Sequence, residues 1–272
     1  MGNSCYNYCS GEVVNKELFF SLYCRLRIKP LVLENSCQGR RLSFLPGQFL
    51  LVYCFPHTYL PRPFAIYDIL KDGSIVVNFK IVGSGTKYLS ILLPGEKVRI
   101  LYPLGNGYLE EYKDKEEFIF ISGGTGTFSL APLYKKYESA GKKVLRFYIG
   151  LRNKIEYMAY KKLLSDIQLS KCVISTEDGS VGVKGKVSDV VVKREMGNIG
   201  NKYFYIAGPI GMVKDIICKS GNKIDGEVSM ENIISCGVGA CRGCVLPTIY
   251  GYRAVCKDGP VFRIKDLLWD KI

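Results

Sequence analysis

Histidine and tryptophan are nearly missing from this 272-residue chain, which has one of each, His57 and Trp269. A lone histidine argues against a His-based metal centre or a histidine acid–base mechanism, because imidazole is the side chain that ordinarily titrates near neutrality. His57, in Cys54-Phe-Pro-His-Thr-Tyr59, is expected in a loop. No apolar run approaches the ~20 residues needed to cross a bilayer, and Met1-Gly-Asn-Ser-Cys-Tyr6 lacks the basic-then-apolar pattern of a leader, so a cytoplasmic protein is expected. Myristoylation at Gly2 is not expected, because the sixth position is Tyr6 instead of Ser or Thr. Long basic stretches are also missing, although 38 Lys and Arg stand against 25 Asp and Glu for a net charge of +13. The cations come in ones and twos, which argues against nucleic acid and leaves a solvated basic surface suited to anionic cofactors or partners.

Cysteine, in contrast, is plentiful at 11 residues. Cys236, Cys241 and Cys244, followed after eleven residues by Cys256, reproduce the C-x4-C-x2-C…C spacing of a plant-type 2Fe-2S site. Four thiolates must converge on two irons, and Gly237, Gly239 and Gly243 let the loop fold tightly enough to supply three of them. The alternative is structural zinc, which usually shows two close cysteine pairs, whereas only Cys241 and Cys244 form one here. Cys5, Cys9, Cys24, Cys37, Cys54, Cys172 and Cys218 follow no interval, and most are expected as buried small hydrophobes of a reduced compartment.

The length exceeds one hydrophobic core, and the chain reads in three stretches. From Val13 to Ile100, short β-branched and aromatic runs (Leu18 to Leu26, Gln48 to Tyr53, Ala65 to Ile69, Ser74 to Val82, Glu96 to Leu101) predict an antiparallel barrel or sandwich, with turns at Lys71-Asp-Gly-Ser and Leu93-Pro-Gly-Glu. After Pro103-Leu-Gly-Asn-Gly-Tyr108 the pattern alternates: strands at Phe118 to Ser122, Val144 to Leu151, Lys171 to Thr176 and Tyr203 to Ala207, with helices at Phe128 to Ala140 and Glu156 to Leu164. Such alternation predicts a parallel sheet covered by helices. From about Gly221 follows a third unit, too small for a core of its own, which metal ligation would stabilise; Trp269 is expected to pack on a neighbouring domain or another subunit. The fold class is therefore multi-domain, with an antiparallel β-barrel at 1–108, an α/β nucleotide-binding domain at 109–220 and a cysteine module at 221–272.

At the end of the first parallel strand, Gly123, Gly124 and Gly126 precede Thr127 and the helix, where a backbone free of Cβ atoms and a helix amino terminus suit a pyrophosphate. The spacing departs from G-x-G-x-x-G, and a tight turn alone would also explain these glycines. Gly208 and Pro209, after the Tyr203 strand, add a second loop expected at the same sheet edge.

The strings Arg62-Pro-Phe-Ala65, Gly83-Ser-Gly-Thr-Lys-Tyr-Leu-Ser90, Pro103-Leu-Gly-Asn-Gly, Thr176-Glu-Asp-Gly-Ser180, Gly185-Lys-Val, Ala207-Gly-Pro, Cys236-Gly-Val-Gly-Ala-Cys-Arg-Gly-Cys244 and Val255-Cys-Lys-Asp-Gly-Pro-Val-Phe262 resemble the electron-transfer subunits of type B dihydroorotate dehydrogenase, within the ferredoxin-reductase superfamily, nearly end to end. The resemblance implies FAD and a 2Fe-2S cluster, with electrons passing from the FMN of a separate catalytic subunit to NAD. It implies that dihydroorotate is oxidised on that other subunit, in pyrimidine biosynthesis. By the same resemblance, Arg62, Pro63, Phe64 and Ala65 contact the flavin, Phe79, Lys80 and Ile81 line it, and Gly85 and Thr86 hold its pyrophosphate. Two positions depart from the pattern: Ala65 stands where the flavin motif commonly has Ser, and Ala207 where wider relatives often have Cys. A sibling reductase subunit serving ferredoxin, sulfide, sulfite or hydrogenase chemistry, and a zinc-stabilised nucleotide-binding regulator, are the alternative readings. Arg152 is a candidate reader of a 2′-phosphate or, equally, a solvated helix cap.

Overall fold

The computed structural model describes residues 6–31, 44–109, 117–197 and 199–272; Gly2, Cys5 and Cys37 lie outside them. The first half forms strands β1 (Asn7–Phe19), β2 (Tyr23–Leu31), β3 (Phe49–Tyr53), β4 (Arg62–Ala65), β5 (Asp68–Ile69), β6 (Ile75–Lys80) and β7 (Lys97–Leu104), with helix α1 (Ser84–Ile91) between β6 and β7. Their order is β4-β3-β7-β1-β2-β6-β5, all antiparallel. The sheet curls until β4 lies against β6. The period of two drives this closure: along β2, Cys24, Leu26 and Ile28 point into the barrel core while Arg25, Arg27 and Lys29 face out.

The expected strand from Leu18 to Leu26 is instead the end of β1, a turn and the start of β2. Phe20 and Ser21 take the left-handed conformation there (φ 54° and 51°), without the Gly, Asn or Pro that usually announces such a turn. Helix α1 replaces all-strand structure after Val82: the Thr86 hydroxyl accepts the N–H groups of Val82 and Gly83 (2.9 and 3.0 Å) and donates to the Gly83 carbonyl (3.0 Å), capping the helix. His57 sits in a turn, stacked on Tyr88 with ring centroids 4.3 Å apart.

The second half alternates β8 (Glu117–Gly123), α2 (Thr127–Ser139), β9 (Val144–Leu151), α3 (Lys154–Leu163), β10 (Val173–Thr176), β11 (Val183–Lys184), α4 (Val187–Glu195), β12 (Lys202–Ala207), α5 (Ile210–Lys219) and β13 (Gly226–Ser229). The strand order β11-β10-β9-β8-β12-β13 is parallel throughout. Helices cover both faces, so the central strands are apolar on both. Ile119, Ile121, Phe204 and Ile206 pack with α4 and α5 on one side, and Phe118, Phe120, Phe147 and Tyr205 with α2 and α3 on the other. Full burial of each such side chain contributes roughly 1.5–3 kcal/mol.

The chain closes with β14 (Val245–Thr248), β15 (Gly251–Ala254) and β16 (Val261–Arg263). Strands β13 and β16, which a boundary at 220 assigns to the third unit, extend the second sheet, with β16 antiparallel to β13. The stretch has too few apolar residues for a core and borrows one: Cys244, Leu246, Val255 and Cys256 join the same buried cluster as Phe49, Leu51 and Leu104 of the barrel. Trp269 packs within the chain and donates Nε1–H to the Ile264 carbonyl (2.8 Å). Of the scattered cysteines described, Cys24 and Cys54 are buried, Cys9 and Cys172 half-buried, and Cys218 exposed.

At the end of α4, the Glu195 carboxylate is fully buried and accepts from the Tyr148 hydroxyl, Arg146 Nη1 (2.7 Å) and Lys202 Nζ (2.9 Å). Burial alone would raise its pKa; the Tyr148 and Lys202 bonds outweigh that and hold it below the usual carboxylate value. A depressed folded-state pKa adds stability that is present above the unfolded value near ~4.3 and lost as pH falls through the folded one. Glu195→Gln is expected to lower stability by about 3–5 kcal/mol at neutral pH, and to flatten the acid limb of the melting curve. Thermal denaturation followed from pH 7 downward checks both; unchanged melting would assign the cluster no net stabilisation.

Candidate functional site

Two cavities open where the barrel meets the second sheet. The first, about 400 Å³, is walled by Arg62, Pro63, Phe64 and Ala65 of β4, by Phe79 and Lys80 of β6, by Thr86, and across the seam by Gly126 and Gly208. These distant segments meet because barrel closure sets β4 beside β6. Gly85 stands behind Arg62: a Cβ there would lie 3.1 Å from the Arg62 Cγ and Nε. Three expected residues line neither cavity: Gly85, which stands behind Arg62, Ile81 and Thr127. Ile81 packs against the barrel core, and the Thr127 hydroxyl is engaged by Ser122 Oγ and the Gly124 carbonyl, both at 2.9 Å. The Thr86 hydroxyl is taken up by its cap, so anion binding at α1 falls to the helix's first-turn N–H groups.

The wall fits FAD. Phe49, Phe64, Phe79, Phe128 and Met230 form an apolar lining for a flat ring, with Phe64 and Phe79 tilted at 4.9 Å. Two buried donors in it, Arg62 Nε and Asn78 Nδ2, lack hydrogen-bond partners. Leaving such groups unpaired costs about 1–3 kcal/mol each, a cost that ligand acceptors remove. Asn78, Ser129, Glu231 and Asn232 also line the cavity, and the sequence pattern pointed to none of them. A polar residue inside a strand announces nothing until the register sets its face.

The second cavity, about 940 Å³, lies beyond the carboxyl ends of β8, β9 and β12 and is lined by Gly123, Gly124 and Pro209 among others. Here the strand order reverses, with β9 on one side of β8 and β12 on the other; doubly wound sheets bind dinucleotides at such switch points. Close approach demands glycine: a Cβ on Gly126 would stand 2.4 Å from the Ala207 carbonyl. Arg152 lines this cavity, while the cap of α3 is its neighbour Asn153, whose Oδ1 accepts the Glu156 N–H at 3.1 Å. Lys80 and Thr125 line both cavities. Lys80 Nζ donates to Glu156 Oε1 at 2.5 Å, tying β6 to α3 across the seam. Burial raises the Glu156 pKa, but the Lys80 bond and the Arg152 N–H (2.9 Å) prevail and keep it ionised below its ordinary value.

Residues Met230 to Asn232 and Ile234 of the first cavity's wall lead directly to Cys236. The cysteine loop is seated on the barrel: Gly237, at φ +76°, would place a Cβ 2.8 Å from Leu51 Cδ1. Cys244 and Cys256 are buried at the β14–β15 hairpin, Cys236 is half-buried and Cys241 exposed. Among the described residues no three His, Cys, Asp or Glu side chains converge on one point. The thiols come in two pairs, Cys236 with Cys241 and Cys244 with Cys256, which offers two ligands to each of two irons. Backbone donors face the sulfurs: Gly239 N–H reaches Cys256 Sγ at 3.1 Å and Cys256 N–H reaches Cys244 Sγ at 3.4 Å. Burial would raise the Cys236 pKa, yet N–H groups of Cys241, Val238 and Ala240 bring it down to about 6. This donor set fits a binuclear cluster of thiolates.

Residues 231–268 match the family model described as the iron-sulfur cluster binding domain of dihydroorotate dehydrogenase B. The chain is 34% identical over 249 residues to the dihydroorotate dehydrogenase B (NAD(+)) electron transfer subunit of Caldanaerobacter subterraneus subsp. tengcongensis, covering 89% of this chain and 95% of that one. It is 34% identical over 233 residues to the subunit of the same name from Fusobacterium nucleatum subsp. nucleatum, covering 82% and 86%. Among solved structures it is similar to a chain of the NADH-dependent reduced ferredoxin-NADP oxidoreductase studied for flavin-based electron bifurcation, with a TM-score of 0.77 and 25% identity over 99% of this chain and 92% of that one. By motif, cavity and likeness together, the chain belongs to the family of dihydroorotate dehydrogenase B electron transfer subunits.

Proposed function

We propose that this chain links an FMN-containing dihydroorotate dehydrogenase catalytic subunit to NAD+ in pyrimidine biosynthesis, within a cytoplasmic assembly holding two copies of each chain. The observation that carries the reading is the continuity of three sites: the segment from Met230 to Ile234 walls the first cavity and runs into Cys236, while Lys80 and Thr125 wall both cavities. When bound, FAD supplies electron-pair exchange with a nicotinamide and the 2Fe-2S cluster supplies single-electron exchange. The chain's own residues bind and orient. Arg62 and the first turn of α1 take the flavin pyrophosphate, and Phe64 and Phe79 wall its ring. Gly123, Gly124 and Pro209 admit the dinucleotide, Gly126 and Gly208 close the flavin side of the seam, and the Lys80–Glu156 pair holds the two binding surfaces in register. Cys236, Cys241, Cys244 and Cys256 hold the cluster. Residues 1–108 thus supply the largest part of the flavin wall, 109–220 the dinucleotide cleft, and 221–272 the cluster loop together with the Met230 to Ile234 part of the flavin wall.

The partner docks around exposed Cys241, beside the β14–β15 hairpin that presents exposed Ile249, Tyr250 and Tyr252. Apolar side chains gathered at one edge mark an association surface. Among the described residues no helix is long and apolar enough to cross a membrane, in keeping with the proposed location. The test is the visible spectrum of anaerobically purified protein, with iron, labile sulfide, zinc and released flavin quantified on the same sample. Two irons, two sulfides and one FAD per chain are expected; zinc without flavin would overturn the reading.

A further inference from the structure

We propose that Asn78 is a flavin-binding residue, donating its side-chain N–H to a carbonyl or imine nitrogen on the polar edge of the flavin ring, and that Arg25 positions it. The inference rests on the FAD reading above and adds two residues that no motif in the chain singles out. Asn78 is 3% exposed and lines the first cavity. Arg25 on β2 is its direct cross-strand partner on β6, and Arg25 Nε donates to Asn78 Oδ1 at 3.0 Å. A guanidinium only donates, so it accepts no other orientation of the amide: Oδ1 faces Arg25, and Nδ2 is left buried with no partner. Arg25 is itself held. Its Nη2 donates to the Leu163 carbonyl of α3, and the guanidinium lies over the Tyr67 ring at 5.5 Å. The geometry therefore presents a fixed, unsatisfied donor in a cavity whose wall also carries Phe49, Phe64, Phe79 and Phe128, and a ring with acceptors on one edge satisfies both features. Ala65, in the same wall, has no hydroxyl to donate, which leaves the amide as a neutral side-chain donor for that ring.

The whole 272-residue chain, stripped of flavin, is titrated with FAD and separately with riboflavin, following flavin fluorescence. Asn78→Ala is expected to weaken both ligands by about tenfold, equivalent to ~1.4 kcal/mol. Asn78→Asp keeps a partner for Arg25 and so guards against loss of fold, yet turns an acceptor toward the ring, and is expected to weaken both at least as much. Arg25→Met is expected to weaken both ligands, and adding Asn78→Ala to it should cause little further loss, because two residues acting through one contact are not additive; full additivity would refute the positioning role. Wild-type affinity for FAD in both Asn78 variants would overturn the proposal. Weakened FAD with unchanged riboflavin would overturn the ring contact and move Asn78 to the pyrophosphate end. Failure of the wild-type chain itself to bind FAD would bring down the FAD reading together with this inference, and is distinguishable because no variant is involved.

Discussion

Replacing Cys241 by Ser is expected to abolish reduction of NAD+ driven by the catalytic partner, while NADH oxidation by artificial two-electron acceptors should persist. Of the four candidate ligands Cys241 is the exposed one, so its loss removes a thiolate at the face a partner can reach without disturbing the buried pair, Cys244 and Cys256. The flavin and dinucleotide cavities contain no part of the Cys236–Cys244 loop and share their own wall through Lys80 and Thr125, so chemistry between NADH and the flavin has no need of Cys241. Steady-state assays of the purified complex with each acceptor separate the two activities. Survival of both would remove the cluster from the route to the partner; loss of both would show that the cysteine loop holds the flavin cavity in shape, through the Met230 to Ile234 segment.

Arg62→Ala is expected to weaken FAD binding by about 10- to 100-fold, the range of one or two lost charge-assisted hydrogen bonds. Arg62 Nε is buried without a partner in the cavity wall, so the substitution removes a donor that only a ligand satisfies. Arg62→Lys is expected to recover little of the loss, because an ammonium lacks the planar fork of donors. Fluorescence titration of the flavin-free chain measures both variants. Equal affinity in wild type and Arg62→Ala would move the pyrophosphate away from β4 and leave it to the amino terminus of α1 alone.

The cysteine pattern was legible in the chain because it is local: Cys236, Cys241 and Cys244 fall within nine residues, and the geometry of two irons restricts that spacing. The glycine loops were legible for a related reason. Strand β8 must turn into α2 where Ala207 approaches Gly126, and only glycine fits. Less visible were features set by pairing between distant segments. Leu18 to Leu26 looks like one strand because Phe20 and Ser21 are not the Gly or Asn that favours a positive φ, yet the hairpin register requires the reversal there. Thr86 lines the first cavity, but its hydroxyl is engaged in capping α1, a role set by the helix that forms there. Ile81 and Thr127 each follow a wall residue in sequence and line neither cavity, Ile81 packing on the barrel core and Thr127 being engaged by Ser122 and Gly124.

By itself the sequence determined the order of the parts, a β-rich region, an alternating α/β region and a four-cysteine loop, together with the chemistry of that loop, since each depends on residue type and short-range spacing. Only the tertiary structure decided which residues share a cavity. Barrel closure brought β4 to β6, pairing of β2 with β6 aimed the Asn78 amide, and the reversal of strand order put Gly124 and Pro209 on one cleft. It also decided that the terminal segment is no separate body: β13 and β16 are strands of the second sheet, because a stretch too short to bury its own apolar side chains reaches a stable core by extending one that already exists.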